Sequence, residues 1–479
     1  VLATGSLSEL KSVLPVDNPL LAKASIDWHV LAFVAALALL TGLAFGLAPA
    51  LSAAKLDLAI SLKTRGQQTT GLAGARLRSS LIVAEVTLAV ALVIGAGLLI
   101  KSLWLLTQEN PGFRPEQILT VRVYPQEAAG KKRASYIALY DELMRRARGI
   151  TGVTGVAAAN TTPLSSELPA VPVELEGHLL IPGQKTAPMF WAGAVTPDYF
   201  SILRIPLLAG RLFAEADGEK SAEVVLVSAA TATQYWPGAN PVGKRIRIVW
   251  EQRWRTVVGV VGDVRQYDLA GKSPDWISGA FYMPYAQSVG LDRQLPTAMT
   301  LILRAAANTP QVAGELQRQV GRLVASVNPD LPVSEVRPLE AAVAASTSPS
   351  RSLMWLFVSF GGTALILAAI GAYGVVSYST AQRTYEMGVR IALGATRSRI
   401  FSLVLGQSLR LVLCGLVLGM MASLALTRLM TGFLYGVTAT DPLNFLVVGL
   451  LLMAVALLAG YLPARRAATV DPLVALRHE

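Results

Sequence analysis

Five long apolar stretches punctuate the chain, at 28–49, 81–106, 353–379, 403–427 and 443–462. Each can cross a hydrocarbon core, which takes ~20 residues at ~1.5 Å rise per residue. Buried helices of soluble proteins are shorter and more often broken by charge, so the pattern predicts five transmembrane helices. The segment between the second and third stretches reads differently. "ILTVRVYP" (118–125) alternates apolar and polar positions, as a half-buried strand does. The run 135–150 sets Tyr136, Leu139, Tyr140, Leu143 and Ala147 on one helical face, and "VTGVAAAN" (153–160) returns to a strand. Near the end, "AMTLILRAA" (298–306) predicts a strand and "PVSEVRPLE" (332–340) another. The helix between them (311–327) carries Val312, Leu316, Val320, Leu323 and Val327 on one face. Two β–α–β units thus bracket the middle in a split arrangement. "EVVLVS" (223–228), "KRIRIVW" (244–250) and "RTVVGVVGDV" (255–264) predict strands of an inserted, β-rich subdomain. The expected fold is an α-helical membrane protein with five transmembrane helices and a large extracytoplasmic α/β domain. That domain has a split β–α–β core.

Composition and charge sharpen this picture. Hydrophobic residues make up 53% of the chain, charged residues 15%, and the mean hydropathy is +0.49; soluble domains carry about 25% charged residues. The net charge of +11 is concentrated beside the apolar stretches, while the middle segment is near balance. That distribution argues for membrane topology, with lipid as a partner, and against nucleic acid. Lys55, Lys63, Arg65, Arg76 and Arg78 lie in one flank, and Arg383, Arg390, Arg397 and Arg399 in a second. Arg465, Arg466 and Arg477 lie in the tail, whereas the loop 431–442 has no Lys or Arg. The basic flanks are therefore expected in the cytoplasm. The start, the middle and the loop 431–442 are expected outside.

Candidate chemistry is sparse. "GANPVGKR" (238–245) nearly spells a phosphate-binding loop, but Arg245 stands where Ser or Thr would hold magnesium, and a strand pattern follows where a helix should open. His29, His178 and His478 are far apart and form no metal or triad spacing. The single cysteine, Cys414, sits in an apolar run. No catalytic, cofactor or metal residues are therefore expected. Glu85 and Arg410 lie near the cytoplasmic ends of spans and are expected to snorkel to the interface. The stretch "AQRTYEMGVRIALGATRSRI" (381–400) is more telling. Glu386 and Arg390 are one helical turn apart, Val389, Ile391, Leu393 and Ile400 add apolar surface, and Gly388 and Gly394 permit turns. A plain linker needs none of this; a short docking helix does.

An internal repeat is also visible. "LAPALSAAKLDLAISLK" (47–63) aligns with the tail "YLPARRAATVDPLVALRHE" (461–479), placing Pro49 on Pro463, Asp57 on Asp471 and, upstream, Asp27 on Asp441.

"RTYEMGVRIALGATRSRI", two spans and then "LPARRAATVDPLVALRHE" resemble the permease module of the macrolide-exporter and cell-division class of ABC proteins, the MacB/FtsX type. "NPGFRPEQILTVRV", "VTPDYFSILRIPLLAGRLF" and "YWPGANPVGKRIRI" resemble that family's periplasmic core domain. The duplication is similar to the tandem permeases of this class. The resemblance divides the chain into the end of a first module (1–63), a linker (64–80), a span (81–106), a MacB-like core domain (107–350) and an FtsX-like C-terminal domain (351–479). Residues 1–26 then read as the interior of a longer protein or a processed product. The resemblance implies a multi-pass protein of the bacterial inner membrane, not itself an enzyme, in which an ATPase supplied in trans drives motion of the external domain. Glu386, Gly388, Arg390, Gly394 and Ala395 would form the ATPase-coupling stretch, and Pro463, Arg465, Arg466, Asp471 and Pro472 the cytoplasmic tail motif. A periplasmic adaptor or substrate, and a pseudo-dimer with the missing first module, are the further partners implied. A non-transporting regulator of a cell-wall hydrolase or sensor is the alternative. A membrane-anchored enzyme is disfavoured, because the external segment shows no clustered nucleophile, base or metal ligands.

Overall fold

The computed structural model describes residues 71–125, 133–165, 169–177, 187–270, 274–288, 298–307, 310–329, 331–332, 336–382, 387, 389–391, 393 and 395–468, with scattered positions of 27–39. Two compact units emerge, one formed by Val1–Thr107 with Ser348–Glu479, the other by Gln108–Thr347.

The first unit holds four long helices: α1 (Gly71–Gln108), α6 (Leu339–Gln382, which also enters the second unit), α7 (Arg397–Leu429) and α8 (Pro442–Ala468). All four are long and apolar enough to cross a membrane. The remaining predicted span, 28–49, lies largely outside the described residues. Among the four, α1 is the hub: 44% of its apolar window is buried, against 11% for α6. Glycines let the neighbours approach it. A Cβ at Gly415 or Gly419 of α7 would lie 2.7 or 2.6 Å from Cβ of Val86 or Val90. Such small-xxx-small spacing is how helices pack closely where no hydrophobic effect pulls them together. Asp441 caps α8 by accepting from the Leu443 backbone N–H at 3.2 Å. Asp27, its counterpart in the repeat, accepts from the His29 N–H at 2.9 Å in the same way.

The second unit contains β1 (Ile118–Val123), α2 (Arg133–Ala147), β2 (Val153–Ala159), β3 (Ala170–Leu175), β4 (Met189–Val195), α3 (Tyr199–Leu203), β5 (Leu207–Gly210), β6 (Val224–Ser228), α4 (Ala229–Tyr235), β7 (Arg245–Ile248), β8 (Arg255–Val261), β9 (Ile277–Pro284), β10 (Met299–Ala305), α5 (Pro310–Val327) and β11 (Arg337–Pro338). Strands β11-β1-β10-β2 form an antiparallel sheet, so each predicted β–α–β pair is split by a strand of the other. Tyr140 of α2 satisfies its buried hydroxyl by donating to Val123 O and accepting from Met299 N. The inserted strands close on themselves in the order β4-β3-β7-β8-β6-β9, with β9 pairing back to β4 in parallel. Val173, Phe190, Val225, Ile246, Val257 and Phe281, one from each strand of this ring, share one buried cluster. That cluster continues over the sheet face covered by α2 and α5.

Two local readings resolve here. The strand expected over 332–340 shrinks to Arg337–Pro338, and Leu339 and Glu340 already open α6. Pro338 has no N–H to give a ladder, and an acidic residue in the first turn suits the positive end of a helix. The near phosphate loop is a turn: Lys244 N–H donates to Pro241 O at 3.0 Å, Gly243 N–H donates to Val257 O at 2.8 Å, and the chain enters β7 rather than a helix.

Candidate functional site

The stretch after α6 packs at the end of the helical unit where α6 and α8 finish and α7 begins. Met387, Ile400, Val404, Val376 of α6 and Ala464 of α8 are buried together, with Ile391, Ala395 and Phe401 packed against them. Residues 387, 391 and 395 recur every fourth position, so one face of the stretch is an anchor. Phe401 meets Tyr461 of α8 edge to face, ring centroids 5.9 Å apart. The backbone is closed by Leu393 N–H to Val389 O and Ala395 N–H to Arg390 O before Thr396 starts α7. Arg390 and Leu393 in the stretch, and Arg397 and Arg399 in the first turn of α7, are exposed. Leu393 is 82% exposed, close in sequence to these arginines and to the anchored Ile391 and Ala395.

Of the residues expected in the coupling stretch, Arg390 is exposed and Ala395 half-buried in the anchor. Glu386, Gly388 and Gly394 lie outside the described residues, so their expected pairing and turns are not part of this geometry. In the tail, Pro463 is buried in α8 and Arg465 and Arg466 are exposed in its last turn, while Asp471 and Pro472 lie outside the described residues. The anchor brings Ala395 and Ala464 into one cluster and thereby joins two motifs that are far apart in the chain. Met387, Val404 and Ala464 are the anchoring residues missed in the sequence; the fourfold spacing of 387, 391 and 395 was the available signal.

At the far ends of the same helices lies a polar clasp. Lys101 of α1 pairs with Asp441, Ser102 Oγ accepts from Tyr435 N–H at 2.8 Å, and Asn444 Nδ2 donates to Ile94 O at 3.0 Å. Between the two ends, the Glu85 carboxylate is half-buried and lies where a Cβ on Gly371 of α6 would sit 2.5 Å from its Oε2. It therefore packs against a helix rather than only reaching for an interface. Arg410 is exposed on α7. No group of three or more His, Cys, Asp or Glu side chains that could hold a metal occurs among the described residues.

Comparison with known proteins agrees with this layout. The model for the MacB-like periplasmic core domain matches residues 79–319, and that for the FtsX-like permease C-terminal matches 358–472. The chain is 28% identical over 287 residues to the probable syringafactin export ATP-binding/permease protein SyfD of Pseudomonas syringae, covering 60% of this chain and 42% of the relative. It is 25% identical over 321 residues to the macrolide export ATP-binding/permease protein MacB of Mannheimia succiniciproducens, covering 67% and 47%. The chain thus spans less than half the length of these relatives. The solved periplasmic region of MacB from Actinobacillus actinomycetemcomitans overlaps 48% of this chain and 93% of its own, at 14% identity and TM-score 0.32. The family assignment rests on the sequence matches, which make this a membrane protein with an extracytoplasmic domain. The chain belongs to the MacB/FtsX-type ABC permeases.

Proposed function

We propose that the chain is the permease part of an ABC-type export system of the bacterial inner membrane, coupling ATP hydrolysis by a separate ATPase to movement of the extracytoplasmic domain. The observation that carries this is the Leu393 surface. Leu393 is 82% exposed in a stretch that also carries Arg390, Arg397 and Arg399, while its neighbours Met387, Ile391 and Ala395 belong to a cluster drawing on α6, α7 and α8. A partner pressing there would move three helices at once. Motion would be carried outward by α6, which runs for 44 residues from Leu339 to Gln382 with Pro349 inside it. The relatives named for export of syringafactin and macrolides join ATP-binding and permease functions, in keeping with such a partner. The repeated caps at Asp27 and Asp441 support a duplicated module, so that two permease halves form a pseudo-dimer.

The test is stimulation of the cognate ATPase by the chain in nanodiscs. Arg390→Glu places a charge against a partner that tolerates arginine, and like-charge contacts at an interface cost several kcal/mol. Stimulation should fall about a hundredfold in Arg390→Glu and Leu393→Asp while membrane levels stay near wild type. Unchanged stimulation in both would refute docking at this surface. Intact stimulation by the wild type without export of any substrate would favour the regulator of a cell-wall hydrolase or sensor.

A further inference from the structure

α6 starts in the core of the extracytoplasmic unit and ends in the helical unit, and its sequence changes character once on the way. Leu339 is buried in a cluster with Phe113 and Phe200, and Ala342 and Val343 pack against that cluster. The chain then reads Ser346-Thr347-Ser348-Pro349-Ser350, all weaker helix formers than the alanines before them. Three successive carbonyls are weakened there. Pro349 has no N–H, so the Ala345 carbonyl four residues back loses its helical donor and is crowded by the proline ring. Ser346 Oγ donates to Val343 O at 2.7 Å and Thr347 Oγ1 to Ala344 O at 3.0 Å, in competition with the backbone N–H groups of Thr347 and Ser348. Ser348, directly before proline, is biased away from helical backbone angles. Ala345 and Pro349 are both exposed, so water can take up the released carbonyl. The division of the chain into compact units falls at the same point, between Thr347 and Ser348. The long span α1 has no proline anywhere in 71–108.

We infer that α6 is hinged at Ser346–Pro349, so that its membrane-spanning part pivots against first turns that stay fixed in the extracytoplasmic core. Sharp bends in helices occur at proline and where side chains enter the hydrogen-bond ladder, and both causes coincide here. The first turns are gripped through Leu339, Ala342 and Val343, whereas the apolar window of α6 is only 11% buried, so few contacts oppose a swing of the span. A push delivered to the far end of α6 would then reach the extracytoplasmic core as a change of angle. That use in coupling rests on the export reading; the hinge itself does not.

The full chain in nanodiscs, without any ATPase, is compared with its Pro349→Ala variant by two measurements. In hydrogen exchange read by mass spectrometry, the amides of 346–352 should exchange about a hundredfold faster in the wild type, because alanine restores the missing N–H and removes the clash. Ser346→Ala with Thr347→Ala, which frees only the two carbonyls, should slow exchange by a smaller factor. For the pivot, spin labels are placed at Trp250 and at Phe360, which is 55% exposed on α6, with Cys414 replaced by alanine. Their distance distribution should be broad in the wild type and narrow in Pro349→Ala. Equal exchange rates, or distributions of equal width, in the wild type and Pro349→Ala would overturn the hinge. Alanine is the best helix former, so a misfolded variant cannot mimic the expected slowing. Both readouts omit the ATPase, so a failure of docking at Leu393 would leave them unchanged.

Discussion

Arg255 is the most exacting test of the packing in the extracytoplasmic unit. It opens β8, is 1% exposed, and pairs with Glu251, while Glu223 lies 3.5 Å from its Nη2. Glu223 is held from outside by Arg253 at 3.0 Å. Burial pushes the Glu251 carboxyl above its ordinary value of 4.5, and Arg255 offsets this only in part. Replacing Arg255 by leucine leaves the largely buried Glu251 without its paired cation, and Glu223 with only the exposed Arg253. Removing one partner of a buried ion pair costs about 3–5 kcal/mol, which is about two to three and a half orders of magnitude in the folding equilibrium. The pH dependence has a definite sign. A carboxyl raised in the folded state binds its proton more tightly there than in the unfolded chain. The folded state is then favoured at low pH, and that advantage is lost as pH rises from the ordinary value through the raised one. With Arg255 gone the raising effect grows, so the deficit of Arg255→Leu should be larger at pH 8 than at pH 5. Urea unfolding of the full chain in detergent, followed by limited proteolysis within 108–347, reads both quantities. The triple replacement Arg255→Met, Glu251→Leu, Glu223→Met removes every charge of the pair together and should recover most of the loss. A cost below about 1 kcal/mol for Arg255→Leu, or one independent of pH, would show that water screens this group and that the burial argument fails.

Three further outcomes follow from single positions. Gly419→Leu drives a branched side chain into Val90 across the close contact of α7 with α1; overpacking costs about 1–3 kcal/mol, so thermal stability in detergent should fall while Gly362→Leu, which meets open space, changes little. Gly112 has φ +83° and a Cβ there would lie 1.8 Å from Asp263 O, so Gly112→Ala should destabilise the unit well beyond the ~1 kcal/mol expected of Gly177→Ala, where φ is +79° but nothing lies nearby; paired urea midpoints measure the gap. Asp217 is held below its ordinary value of 3.8 by its hydrogen-bonded pair with Arg211, so this contribution is present above that value and is lost as pH falls through the depressed one; Asp217→Asn should flatten that acid limb of the stability profile.

What could be read from sequence followed the physics of local pattern. The spans at 81–106, 403–427 and 443–462 carry few or no charges over a membrane's width, and β1 and α2 bury one face, so period alone reveals them. β4 has no such period, because nearly all of "MFWAGAV" is buried, and its parallel pairing with β9 joins residues far apart in the chain. The closure of the ring was therefore invisible. So was the burial of Arg255, a residue type that normally marks a surface. At the docking stretch, the apolar positions were legible in "EMGVRIALGATRSRI", but the division into an anchored face and an exposed Leu393 required α8 to be in place, since Ala464 completes the anchor.

The central claim, that an ATPase presses on the surface around Leu393, is tested most directly by cross-linking. With Cys414 replaced by alanine, a single cysteine at Leu393 carrying a photoactivatable maleimide should capture the cognate ATPase in membranes, with a yield that changes when ATP is added. The same probe at Trp250, in the extracytoplasmic unit, should capture none. Capture at Trp250 with none at Leu393 would contradict the account, because it would place the ATPase on the side of the extracytoplasmic domain.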